Sequence, residues 1–208
     1  MNPTLQEQPV CMQPGSAYAL PGMEQEGDDE DLMMRYREGD AAAFEVLYKR
    51  HKNPLYRYVL RQCGQHAVAD ELFQDIWTRV IQARKRYQAS ASFKTFLFCI
   101  ARNRLVDHYR RQGAGRDVFA LEGNDESAIP ARASDQPEHL VHARQQTEQL
   151  LALIQSLPAE QREAFVLHQE AGLAVAGIAE VTGVGHETAK SRLRYALKRL
   201  REGLREWL

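Results

Sequence analysis

Apolar residues along this chain recur at intervals of three and four, seldom two. That spacing predicts helices over residues 32–61, 67–83, 93–111, 146–157, 159–168, 175–181 and 187–207. Alternation of Val, Ile and Thr is nearly absent, so no sheet is expected. Gly113, Gly115, Gly123, Pro130 and Pro137 interrupt a stretch of weak periodicity, which reads as a linker. Residues 1–27 hold four prolines, three glycines and no basic residue, and they read as a flexible tail. The expected fold class is therefore all-α. A tail (1–27), an N-terminal helical domain (28–112), an acidic linker (113–143) and a C-terminal helical domain (144–208) follow one another.

The most informative stretch is 175–204. A short helix carries Ile178 and Ala179, and Gly183, Val184 and a longer helix follow. A small residue, a glycine four positions on and an apolar residue after it form the helix-turn-helix pattern. The small residue permits close approach, the glycine permits a left-handed turn, and the apolar residue plugs the space between the helices. On the second helix, Ala189, Leu193, Ala196, Leu197, Leu200 and Leu204 fall on one seam. Thr188, Ser191, Arg192, Arg194, Tyr195, Lys198 and Arg199 lie opposite, with Lys190 on the flank. Arginine and lysine bind phosphates or guanine edges, and serine or threonine can read base edges. A solvated amphipathic helix would share the seam, but the turn in front of it favours DNA binding. Gly177 lies inside the short helix at an expected cost of ~1 kcal/mol relative to alanine.

Composition at first points away from nucleic acid. The 208 residues carry 27 Lys+Arg against 28 Asp+Glu, a net charge of −1. Resolved along the chain, the balance is uneven. Residues 79–116 hold ten bases and one acid, and residues 187–205 hold seven bases and two acids. Residues 117–148 between them hold seven acids and two bases. Two basic segments separated by an acidic one read as two contact surfaces whose charge cancels only in the total.

The N-terminal basic segment has aromatic company. Arg84, Lys85, Arg86 and Tyr87 precede a small polar loop, and then come Lys94, Phe96, Arg102, Asn103, Arg104, Asp107, Arg110 and Arg111. Such a mixture can track a phosphate backbone and accept unstacked bases. It is also what core aromatics with solvated arginines would look like. Over 67–83, a broad apolar arc with Leu72, Phe73, Ile76, Trp77, Val80 and Ile81 leaves Asp70, Glu71, Gln74 and Asp75 on one edge. This is a core helix whose edge is either solvated or a docking surface.

Three cysteines (Cys11, Cys63, Cys99) make no disulfide framework, and Cys99 is expected in the core. A reducing, cytoplasmic setting is expected. The longest useful apolar run, 96–101, is too short to cross a bilayer, and no base precedes Arg35 to suggest a secretory signal. The seven histidines are scattered, and neither a glycine-rich phosphate loop nor a nucleophile elbow is present. No catalysis, metal or cofactor is expected. A nucleic-acid-processing enzyme would need an acidic metal cluster beside the basic segments.

Several ordered motifs resemble bacterial sigma factors. Asp31-Leu32 and the run from Gly39 to Tyr48 resemble the opening of their region 2, and Ala69 to Asp75 resembles its polymerase-binding helix. Phe93 to Leu97, Ile100 to Asn103 and Asp107 to Arg111 resemble its promoter-melting, minus-ten segment. Leu157-Pro158, Arg162, Phe165, Leu167, Ile178 to Glu180 and Thr188 to Leu193 resemble region 4. With only a linker between the two regions, the chain resembles the extracytoplasmic-function group. The resemblance implies a dissociable subunit of bacterial RNA polymerase. Asp70, Glu71, Gln74, Asp75 and Trp77 would dock on core polymerase. Arg84, Lys85, Arg86, Lys94, Phe96, Arg102, Asn103, Arg104, Asp107, Arg110 and Arg111 would serve the minus-ten element. Thr188, Lys190, Ser191, Arg192, Arg194, Tyr195, Lys198 and Arg199 would read the minus-thirty-five element. An anti-sigma partner is implied as well. Phe96 stands where the family often has tryptophan, and Thr182, Gly185 and Ala189 are atypical in the turn. The rival is a stand-alone helix-turn-helix regulator that needs no polymerase.

Overall fold

The computed structural model describes residues 27–88, 92–112 and 137–205, and for 137–145 only the backbone. Among the described residues there are eight α-helices and no strand. They are α1 (Asp29–Arg37), α2 (Ala41–Cys63), α3 (His66–Ala83), α4 (Phe93–Arg111), α5 (Pro137–Gln155), α6 (Ala159–Ala171), α7 (Val175–Thr182) and α8 (His186–Arg205). A single 3-10 turn, Arg84–Arg86, extends α3.

The helix expected over 32–61 is two helices. Gly39 takes φ +110°, a conformation side chains resist, and breaks the run. Asp40 then caps α2 by accepting from the amides of Ala42 and Ala43, and Arg35 holds its carboxylate at 2.6 Å. The apolar pattern runs through the break, because α1 and α2 both bury their apolar side in the same core. α5 begins at Pro137, well ahead of the expected start at residue 146. The end expected for α8 at residue 207 falls outside the described residues, as do the tail to residue 26 and the linker over 113–136.

α1 fastens the N-terminal helices. Asp29 accepts from His51 Nε2 at 2.7 Å and Arg50 Nη1 at 2.9 Å on α2. Glu30 Oε1 accepts from the Phe93 amide at 2.8 Å, capping α4. Arg37 Nη1 donates to the Tyr87 carbonyl at 3.3 Å, so α1 holds both flanks of the connection from α3 to α4. Leu47, Leu55, Tyr58, Leu72, Ile76, Val80, Phe93, Leu97, Phe98 and Leu105 fill the space between α2, α3 and α4.

The C-terminal helices enclose Ile154, Leu157, Val166, Leu167, Ile178, Ala189, Leu193, Ala196 and Leu200. Gly183 takes φ +68° at the end of α7. Its amide bonds the Glu180 carbonyl and the Val184 amide bonds the Ala179 carbonyl, the paired bonds that close a helix at a left-handed glycine. The Thr182 hydroxyl, polar where an apolar residue was expected, is buried but donates to the Ile178 carbonyl at 2.6 Å. Leu197 and Leu204, expected in the α8 seam, lie at its edge and are about 40% exposed.

The two helical groups pack on each other, α6 against α2 and α7 against α4. A side chain at Gly177 would sit 3.3 Å from Leu173 and 3.4 Å from Thr95 of α4. The glycine expected to be costly within α7 leaves room for its approach to α4.

Burial alone would push the Asp29 carboxyl up, but hydrogen bonds and charge from His51 and Arg50 outweigh it and hold it at about 2. The folded value lies below the unfolded one, so the ion pairs stabilise the fold above pH ~4, and the benefit fades as pH falls towards 2. With solvent screening the contribution is on the order of 1 kcal/mol. Asp29→Asn is therefore expected to lower stability by about that amount at pH 7. In urea titrations its deficit against the parent chain narrows between pH 4 and pH 2, and a constant deficit would rule out the ionic origin.

Candidate nucleic-acid and polymerase interface

The basic face of α8 follows from its buried side. Ala189, Leu193, Ala196 and Leu200, spaced four, three and four apart, fix the rotation of the helix. Thr188, Lys190, Arg194, Tyr195, Lys198 and Arg199 are thereby exposed, and Ser191 is half-buried. The Arg194 guanidinium lies 5.1 Å from the Tyr195 ring centroid. Lys190 approaches Glu187 at 3.5 Å and Lys198 approaches Glu202 at 3.8 Å, loose exposed pairs that a phosphate could displace. Arg192 differs from its neighbours. It is turned to α6, where its Nη2 lies 2.7 Å from Glu160 Oε2.

α4 and the end of α3 form the second basic surface. Lys85, Arg86, Lys94, Asn103, Arg110 and Arg111 are exposed. Arg84 lies over the Tyr36 ring at 5.3 Å. Phe96 is half-buried and meets the rings of Tyr87 at 5.2 Å and Phe93 at 6.4 Å, so it braces the start of α4. Arg79 Nη1 lies 3.4 Å from Asp107 Oδ2. An open cleft of about 310 Å³ separates α3 from α4, lined by Arg79, Gln82, Ala83, Arg86, Ile100 and Asn103. Its donors and apolar floor suit a flat, polar-edged group such as a base. Arg79 and Gln82 were not among the expected site residues. Their spacing with Arg86, at three and four, was the available signal.

Two arginines of α4 are engaged by carboxylates of neighbouring helices. Arg102 Nε donates to Glu163 Oε1 of α6 at 2.9 Å. Burial pushes the Glu163 carboxyl up, while the charges of Arg102 and Arg192 and the Arg102 hydrogen bond pull it back. Arg104 is 3% exposed and bonds Asp75 and Glu71 of α3. Its burial removes it from any surface that meets DNA.

On α3, Asp70, Glu71 and Gln74 are exposed and Asp75 is half-exposed. Trp77 is 5% exposed and packs against Tyr48 at 4.9 Å and Phe44 at 5.7 Å. It supports the acidic edge from the core and is not itself part of it. The broad apolar arc around Trp77 already carried that reading.

Among the described residues, no group of His, Cys, Asp or Glu is placed to hold a metal ion. No helix among them is long and apolar enough to cross a membrane.

The described residues thus form one helical group with an acidic edge and a basic cleft and a second, helix-turn-helix group with an exposed basic face, an arrangement of the DNA-binding class. Family models for "Sigma-70 region 2" and "Sigma-70, region 4" match residues 47–115 and 147–200. The chain is 32% identical over 174 residues to RNA polymerase sigma factor CarQ of Myxococcus xanthus, covering 84% of this chain and 96% of CarQ. It is 33% identical over 168 residues to ECF RNA polymerase sigma factor SigL of Mycobacterium tuberculosis, covering 80% of this chain and 92% of that protein. The fold resembles CnrH in complex with the cytosolic domain of CnrY, with TM-score 0.62 and 20% identity over 86% of this chain and 97% of that one. It also resembles RpoE in complex with the anti-sigma factor NepR from Bartonella quintana, with TM-score 0.63 and 23% identity over 78% and 96%. The chain belongs to the extracytoplasmic-function (ECF) sigma factors of the sigma-70 family. It is a promoter-directing subunit of RNA polymerase, and the stand-alone regulator reading gives way.

Proposed function

We propose that the three surfaces divide the work of promoter selection. Asp70, Glu71, Gln74 and Asp75 dock on core polymerase. The cleft between α3 and α4, with Lys85, Arg86, Lys94, Asn103, Arg110 and Arg111 around it, captures the opened minus-ten strand. Thr188, Lys190, Ser191, Arg194, Tyr195, Lys198 and Arg199 read the minus-thirty-five element from the major groove. The observation that carries this is the α8 face, exposed and basic along its length while the opposite side is locked in the core. The chain performs no catalysis of its own and works in the cytoplasm. The solved relatives named above are complexed, one with an anti-sigma factor and one with a cytosolic partner domain. A similar inhibitor is inferred here.

Engaging both elements at once demands an open chain. Two helical turns of DNA span roughly 70 Å. The 24 residues from 113 to 136, between α4 and α5, could extend to roughly 80 Å, which is enough. In the packed form α4 touches α7, and Arg102 and Arg192 are held by carboxylates of α6. The contacts between the two groups open when the two DNA elements are bound together, which frees Arg102 for phosphate, whereas the Arg192–Glu160 pair lies within the C-terminal group and can persist.

With core polymerase and a genomic promoter library, run-off transcription should select promoters with two separated elements. Arg194→Ala with Lys198→Ala should lower holoenzyme affinity for a selected promoter at least tenfold, since each side chain that grips DNA is worth ~1 kcal/mol or more. Core binding and the thermal midpoint should not change, because both side chains are exposed. Unchanged promoter affinity would overturn the α8 assignment. Equally tight promoter binding without polymerase would overturn the subunit reading.

A further inference from the structure

Among the arginines of α4, Arg104 alone is buried. Its Nε and Nη2 lie 2.8 and 2.7 Å from one oxygen, Asp75 Oδ2, and Nη2 is also 3.5 Å from Glu71 Oε1. Its Nη1 is buried with no hydrogen-bond partner among the described residues. This guanidinium belongs electrostatically to α3, although α4 carries it.

Glu71 and Asp75 are four residues apart on α3 and therefore neighbours on the helix surface. Like charges at that spacing repel. A face that concentrates acids to attract a cationic partner raises its own energy in the free state. A cation beneath the acids offsets that cost, and Arg104 occupies that position. The geometry also leaves chemistry available. Both short bonds go to Oδ2, so Asp75 Oδ1 takes no hydrogen bond among the described residues, and the Glu71 side chain is 67% exposed.

We propose that Arg104 is a positioning residue for polymerase docking. It holds the Asp75 carboxylate by one oxygen and presents the other, with Glu71 beside it, to a cationic side chain of core polymerase. The inference rests on the reading that the α3 acids dock on polymerase. It moves Arg104 from the minus-ten set, where its place in a basic run had put it, to the polymerase-binding set. Arginine suits the role because its planar fork grips two acceptors in fixed directions, whereas lysine supplies a point charge on a flexible stem.

The test measures affinity of the full chain for core polymerase without DNA. The variants are Arg104→Gln, Arg104→Lys, Asp75→Asn and the double variant Arg104→Gln with Asp75→Asn, each with a thermal melt. Arg104→Gln should weaken core binding ~10-fold, equivalent to about 1.4 kcal/mol. Arg104→Lys should recover most of that loss. The double variant should bind no worse than Asp75→Asn alone, because both changes act through one carboxylate. Additive losses, or no recovery by lysine, would overturn the proposal in favour of simple packing. If Asp75→Asn weakens binding and Arg104→Gln does not, the proposal falls and the docking reading stands. If neither does, both fall. Should Arg104→Gln fail to fold, Arg104→Lys replaces it in the same cycle with Asp75→Asn. There a smaller loss that is absent in the double variant supports the proposal, and additive losses overturn it.

Discussion

Two carboxylates on one face of α6, Glu163 and Glu170, hold the N-terminal and C-terminal helices in register. They are seven residues apart, two turns of helix, and so point to the same side. Their side chains are 2% and 6% exposed, and an unpaired carboxylate at that depth would not stay charged. Arg102 of α4 meets the first, and Arg57 and Arg61 of α2 meet the second. Such buried pairs add little net stability, because desolvation consumes most of the Coulomb attraction. Their effect is selective: any other docking of α6 would bury a carboxylate without its arginine. Apolar packing supplies the attraction, and Gly177 leaves α7 room beside Thr95 of α4.

The net charge of −1 reflects acidic segments offsetting basic ones, and the packing further limits how much basic charge is free for DNA. Part of its basic charge is spent internally. Arg102 and Arg192 come from the two segments that looked most suited to phosphate, yet both lie against α6 carboxylates. What remains exposed on α8 is a narrower basic face. In the proposed account, core polymerase and promoter together supply the free energy to exchange carboxylate for phosphate. The same exchange would limit binding of the free chain to arbitrary duplex, since phosphate attraction dominates nonspecific affinity.

Local features were legible in the sequence, and contacts between distant segments were not. The glycine turn before α8 and the exposed face of that helix follow from residues within one or two turns of each other. The all-helical class follows from spacing alone. The break at Gly39 was missed because the apolar period crosses it undisturbed, although a glycine followed by a capping aspartate is itself a helix boundary. The fates of Arg102, Arg104 and Arg192 were missed for another reason. Periodicity says which side of a helix is polar, but not that a carboxylate about thirty or sixty residues away will cover it. Arg104 shows the same limit, since it follows the exposed Asn103 in sequence and points the other way.

In the proposed function, the chain exchanges an α6-closed form for an extended one on the promoter. The most direct measurement is a pulsed-EPR distance between labels on genetically encoded side chains at positions 52 and 201. Lys52 and Arg201 are both exposed and carry no role in the account, one on α2 and one on α8. The free chain should give a single short distance. The complex with core polymerase and promoter should give a distribution shifted outward by tens of ångströms, towards a separation of roughly 70 Å between elements. The same short distance in both states would contradict the account.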